Sequence, residues 1–320
     1  MIPQKHKVLV EVPHRISGFF EIVDEINGMK INNPERIGSR GAGFNLNSFG
    51  RTEIIFEEIE GLKQFDCQIY INNEELNDKA ETTYFIFNYL KRFIKKYRKI
   101  KIFHTFDLPV GCGYGASGSG ALGTVYGLDY LLNLGFSFYE KGRIAHIAEV
   151  INKTGLGTVC GQLAGGLCIL KEPGYPCNFE RILIPHNLKI ICGSFGIITT
   201  KSVLSNPELS LRIKEAGNKA LTKLKKNPNI ETFVSVSNEF VNDTNIINIL
   251  NLKDVEELIE NLNRLNIIGA SMNQLGRSVY AICKKRDESK VLEVFECYLP
   301  KLRIFKSSIR GSKKILLKRN

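Results

Sequence analysis

The 320-residue chain predicts an α+β protein of two domains, on three observations. At 43% hydrophobic and 24% charged residues it has the composition of an ordinary globular protein, and its length suffices for two cores. Short apolar runs of strand character alternate with segments of helical spacing along the whole chain. No internal repeat or low-complexity stretch interrupts them. The boundary is expected near residue 188, with a mixed domain over 1–188 and an α+β sandwich over 189–320.

Val8–Val12 reads as a first strand, and Glu53–Ile59 and Cys67–Ile71 as an antiparallel pair. Apolar or aromatic residues at Tyr84, Phe85, Phe87, Leu90, Phe93, Ile94 and Tyr97 predict a helix over Glu81–Tyr97. The strand Ile100–Phe106 then leads through Asp107–Pro109 into the most informative stretch, Leu108–Leu122. Gly111, Gly113, Gly115, Ser117, Gly118 and Ser119 carry little or no side chain, so the backbone can turn sharply and aim several amides at one anion. A helix expected from Ala121 to Leu132 would add its positive end to such a phosphate site. The hydroxyl of Ser117 or Ser119 could serve a phosphate or a magnesium ion. A further helix is expected over Tyr139–Asn152, with strands near 166–170, 181–184 and 189–193. Helices near 207–224, 229–242 and 255–265 and strands near 279–283 and 302–306 complete the chain.

Several functions are excluded by what is missing. A Walker loop needs a terminal Gly-Lys-Ser/Thr, and no lysine lies between Lys101 and Lys141. A G-x-G-x-x-G run does occur from Gly113 to Gly118, but it follows the wrong strand for a dinucleotide fold. No apolar run approaches a membrane span and the first residues lack signal-peptide character, so a cytoplasmic protein without membrane contact is expected. The eight cysteines form no C-x-x-C pair and sit mostly among apolar neighbours, which predicts reduced, buried thiols. The net charge of +11 is spread over helix faces and the tail Gly311–Asn320, which reads as solvated surface; an anionic pair of ligands accounts for part of it without nucleic acid.

Pro109–Ser117 resembles, at every spaced glycine, the nucleotide-binding motif of the GHMP kinases. Four further segments are similar to the archaeal pantoate kinases within that superfamily: His14–Phe20, Ile37–Gly43, Lys153–Gly157 with Gly165 and Gly166, and Ile198–Lys201. The resemblance implies a ribosomal-protein-S5-domain-2-like amino-terminal domain and a ferredoxin-like carboxy-terminal one. It also implies ATP-dependent phosphorylation of (R)-pantoate to (R)-4-phosphopantoate for coenzyme A, with ATP and Mg2+ as cofactors, and a homodimer. By resemblance, the nucleotide would lie on Pro109, Gly111, Gly113, Gly115, Ala116, Ser117, Gly118 and Ser119. Ser117 and Glu149 would be the catalytic pair and hold the metal, and Ser39, Arg40, His146 and Thr200 would contact pantoate.

The residues alone leave alternatives open. His146 and Glu149 stand three apart, hence on one helix face, yet Glu149 could equally pair with Lys153 at i+4. Arg40 could grip a carboxylate through both its arms or lie in solvent. His14 and Arg15 follow the first strand, where GHMP kinases place pocket-lining residues. Two positions depart from the pattern: Thr158 stands where the family has aspartate, and Leu170 where it usually has arginine. A threonine hydroxyl is no general base at neutral pH. Lys171 is adjacent to Leu170, but alternation along a strand turns it to the other face. A working kinase, a kinase for another small hydroxy acid, and a non-catalytic nucleotide-binding relative all remain compatible with these departures.

Overall fold

In the computed structural model, which describes residues 5–57, 66–94, 99–198, 203, 205–311 and 315–319, the chain builds two sheets flanked by helices. β1 (Lys5–Val23) is far longer than the expected 8–12, because it pairs with β4 (Gly38–Glu57) from Lys5 opposite Glu57 to Val23 opposite Gly38. A small hairpin, β2 (Glu25–Ile26) and β3 (Met29–Lys30), caps this ribbon. The register slips between Pro13 and Arg15, where proline offers no N–H to the ladder, and again between Ser17 and Phe19. His14 and Arg15 are thereby turned out of strict alternation.

β5 (Asp66–Ile71) and β6 (Glu74–Glu75) precede α1 (Glu81–Leu90) and β7 (Lys99–Phe106). The expected antiparallel pairing of 53–59 with 67–71 does not form: β7 lies between β4 and β5, antiparallel to the first and parallel to the second. The helical crossover through α1 returns the chain in the same direction, which is what a parallel neighbour requires. α1 ends at Leu90 and continues as one 3-10 turn, Lys91–Phe93; the rest of the predicted helix, at 95–98, lies outside the described residues. α2 (Ala116–Leu132) starts five residues before the expected Ala121 and lies across β1 and β4. α3 (Phe138–Ile151) opens with a capping box, in which the Ser137 hydroxyl accepts from Glu140 N while Glu140 accepts from Ser137 N. α4 (Thr158–Ala164), absent from the sequence reading, leads into β8 (Leu167–Leu170), which pairs with β4 and with β9 (Phe179–Ile182).

The second sheet begins with β10 (Leu188–Gly196) and has the antiparallel order β11 (Gly269–Met272), β12 (Arg277–Lys284), β10, β13 (Arg303–Ser307). The helices Pro207–Lys226 and Ile230–Thr244 pack between it and the far end of the β1–β4 ribbon. One continuous apolar core therefore spans both sheets: Phe44 of β4 meets Tyr280 of β12 edge-on at 5.5 Å, and Phe233 closes on both. The tail is not merely solvated surface. β14 (Leu316–Arg319) returns to pair antiparallel with β1, and Lys318 reaches Glu11 at 2.9 Å. Among the described residues no helix is long and apolar enough to cross a membrane.

The expectation of reduced thiols fails at one pair: Cys160 of α4 and Cys177 form a disulfide across a separation of 17 residues. No spacing rule reports it, because the helix and the loop before β9 are brought together by the fold. The other six cysteines are free, four of them buried.

Two buried histidines give the fold a predicted acid limit. The ring nitrogens of His104 meet the Thr52 and Thr83 hydroxyls at 2.9 and 3.0 Å, while His14 Nδ1 donates to Tyr114 O at 2.9 Å. Burial pushes both imidazoles down from 6.5 to about 4. Above pH 6.5 they are neutral whether the chain is folded or unfolded. Below it the unfolded chain takes up protons that the folded one refuses, so stability falls between pH 6.5 and about 4, by about 3 kcal/mol per histidine. Denaturant unfolding at pH 7 and pH 5 measures this; equal stability at the two would contradict the neutral assignment.

Candidate active site

The glycine run, the β1–β4 ribbon, α4 and the turn between β11 and β12 enclose a cleft of about 320 Å³, a volume suited to small ligands. Its floor is the start of α2. Gly111, Gly113 and Gly115 have φ of +76°, +83° and +68°, a region closed to most side chains, and Gly115 in the left-handed conformation is the N-cap. Among the described residues no side chain caps the helix, which leaves its first amides without a side-chain cap at the positive end of a 17-residue helix. That is the chemistry of an anion site, built without lysine.

Ser117 lines the cleft, and its hydroxyl donates to Thr154 O at 3.3 Å. Beside it, beneath the lining formed by Ser117, Thr154 and Gly155 rather than part of it, the Glu149 carboxylate is 1% exposed. Its Oε1 accepts from Thr154 Oγ1 at 2.8 Å, and its Oε2 has no hydrogen-bond partner among the described residues. Gly155 makes this placement possible, since a Cβ there would stand 2.1 Å from Oε2. Burial raises the Glu149 pKa, and the nearby hydroxyls of Ser117 and Thr154 hold it down. The i+4 pairing with Lys153 is not made: Lys153 lines the cleft instead. An orphaned carboxylate oxygen next to a serine hydroxyl fits a magnesium ion, which takes one or two protein oxygens and completes its shell with phosphate and water. Among the described residues no cluster of three or more acidic, histidine or cysteine ligands competes with that assignment.

The other predicted residues divide sharply. Ser39 is buried at the cleft wall, its Oγ where a Cβ on Gly157 would fall. Arg40 also lines the cleft, but its Nε and Nη2 donate to Glu21 at 2.8 and 2.7 Å, so most of its fork is already occupied. His146 does not reach the cleft: its Nε2 donates to Ile37 O at 3.0 Å and its ring stacks on Tyr175. Pro109 opens the loop without lining the cleft, and Gly118 and Ser119 are buried in α2 rather than presented to it. Thr200 lies outside the described residues, although Ile198 N, just before it, donates to Gly111 O at 3.0 Å. His14 is buried beneath the loop and holds it through Tyr114 O.

Arg15 is a buried cation of the site, beside Lys153 and the Glu21-paired Arg40. It lines the cleft at 3% exposure, and Nη1 reaches only neutral acceptors, Asn45 Oδ1 at 3.4 Å and Cys168 Sγ at 3.5 Å. Among the described residues no carboxylate pairs with it. Gly161 of α4 leaves room for the guanidinium, because a Cβ there would overlap it at 2.1 Å. The turn after β11 was not foreseen as part of the site. Gly276 packs against Cys112 O, while Gln274 and Leu275 face the cleft, Leu275 at φ +63°, a strained conformation for a bulky residue. The segment Met272–Tyr280 carried no decisive motif, and its place at the glycine run follows from the second sheet.

Residues 84–166 match the family described as the GHMP kinases N terminal domain. A pantoate kinase of Methanocaldococcus jannaschii is 33% identical over 290 residues, covering 89% of this chain and 96% of its own length. One from Thermococcus kodakarensis is 30% identical, covering 88% of this chain and 90% of its own length. A solved structure described as a phosphotransferase related to CoA biosynthesis pathway superposes with a TM-score of 0.83 at 26% identity, over 98% of this chain and 99% of the other.

Proposed function

Because this chain belongs to the pantoate kinase family, with the fold of the GHMP kinases, we propose that it transfers the γ-phosphoryl group of ATP to the primary hydroxyl of (R)-pantoate, giving (R)-4-phosphopantoate for coenzyme A synthesis. The observation that carries the reading is the buried, unpartnered Glu149 oxygen beside Ser117 at the uncapped start of α2. In this reading the amides of Gly113–Ser117 take the triphosphate, and Glu149 with Ser117 holds the cation. The bound magnesium supplies charge neutralisation on the phosphates. Ser39 orients the acceptor from the opposite wall, and Arg15 sets a fixed positive charge at the inner end of the cleft.

Proton removal is left to positioning. Thr158 packs against Gly115 and Gly118 through its methyl group, and neither it nor Leu170 can act as a base. In a loose, metaphosphate-like transition state the acceptor proton departs late, so alignment and electrostatics supply the rate without a carboxylate at 158. Purified protein given ATP, magnesium and a panel of pantoate, homoserine and mevalonate should yield phosphopantoate by mass spectrometry. Product from the Thr158→Asp variant alone would instead make the wild type a nucleotide-binding relative that has lost transfer; product from a different acceptor would move the substrate.

A further inference from the structure

We infer that Gln162 and Ser119 form a buried brace that sets the shape of the anion loop, and that Gly118 serves this brace rather than the nucleotide. The inference deepens the reading of Gly111–Ser117 as a nucleotide site and rests on it. Gln162 is 1% exposed, in the middle of α4. Its Nε2 lies 3.0 Å from Pro13 O, 3.0 Å from Gly115 O and 2.8 Å from Ser119 Oγ. Backbone carbonyls only accept, so the nitrogen end of the amide must face them, and the orientation follows from chemistry. The Ser119 hydroxyl, accepting from Gln162, turns its one proton toward the same two carbonyls, with Gly115 O at 3.2 Å and Pro13 O at 3.4 Å as its alternative acceptors.

The junction they hold is the one on which the anion site depends. Gly115 is the left-handed N-cap of α2, and a rotation of its peptide would redirect the amides of Ala116 and Ser117. Pro13 has no N–H to anchor β1 there, so its carbonyl is joined to the loop through the carboxamide instead. Gly118 leaves room for that carboxamide: a Cβ there would stand 2.7 Å from Gln162 Oε1 and 2.8 Å from Thr158 Cγ2. Neither Gln162, Ser119 nor Gly118 lines the cleft, so all three act through Gly115 and are positioning residues.

MgADP titration calorimetry, with separate KM values for ATP and pantoate, tests the brace in wild type, Gln162→Met, Ser119→Ala and the double variant. Gln162→Met keeps the volume and removes the donors. Its MgADP affinity should fall, and its KM for ATP rise, about tenfold, while the KM for pantoate stays within about twofold. Ser119→Ala should show the same selectivity, with the double variant no worse than Gln162→Met, since both act at one junction. Unchanged MgADP affinity in a folded Gln162→Met, or parallel losses for ATP and pantoate, would overturn the inference. If Gln162→Met fails to fold, Ser119→Ala decides by the same two readouts. A wild type that binds MgADP but ignores pantoate overturns the proposed substrate and leaves the calorimetry to judge the brace; a wild type that does not bind MgADP overturns the nucleotide reading and the brace with it.

Discussion

Glu149→Gln should leave a folded protein whose phosphoryl transfer is about a thousandfold slower and no longer saturates with magnesium in the wild-type range. The substitution keeps the shape and an oxygen to accept from Thr154, and replaces the second, charged oxygen by a neutral NH2 group that cannot ligate a cation. That charge is costly to the unliganded fold, because one of its oxygens is buried without a partner. In the proposed function that cost is offset by a cation arriving with the nucleotide. Thermal unfolding without ligand should show Glu149→Gln at least as stable as wild type, and added MgATP should stabilise the wild type more. The raised pKa gives a direction for pH as well: wild-type magnesium affinity should weaken on acidification sooner than an ordinary glutamate would allow. A variant with wild-type magnesium dependence and rate would remove Glu149 from the site.

Arg15→Met should cost about a hundredfold in kcat/KM and yet not destabilise the unliganded protein. A guanidinium at 3% exposure with two neutral, distant acceptors is underpaired, and a methionine of similar length fills the space beside Gly161 without that burden. Activity then falls with no loss of stability, which distinguishes a ligand-facing charge from a structural arginine. Steady-state kinetics and unligated thermal melts on the same preparation suffice. A stability loss at undiminished activity would make Arg15 a packing residue.

The glycine run was legible because its spacing is the mechanism: left-handed backbone at 111, 113 and 115 needs glycine and shows in the letters. Glu149 was legible from its residue pattern only as half of a helical pair, and periodicity could not tell which member lay under the Ser117–Thr154 wall of the cleft. His146 shares its helix face, yet its ring is taken by Ile37 O and Tyr175, residues far away in the chain. Arg40 was left open for want of a register; once β1 and β4 are aligned, Glu21 stands directly opposite it. Gln162 lies in an apolar segment with no motif of its own, and its task depends on two backbone carbonyls that no side-chain pattern encodes. The β11–β12 turn reaches the cleft through the second sheet alone, so its contribution is tertiary.

The pairing of β14 with β1 bears on how the molecule is made. Val8–Glu11 of β1 find their outer partners in Leu316–Arg319, on the far side of the whole fold in chain order. From the making of β1 to the making of β14 the first strand, which also carries Arg15, presents an open row of amides and carbonyls to whatever chain is nearby. Because β14 follows every other element of the two sheets in the chain, this edge closes only after they have been made, and until then the nascent protein is open to mispairing with its neighbours.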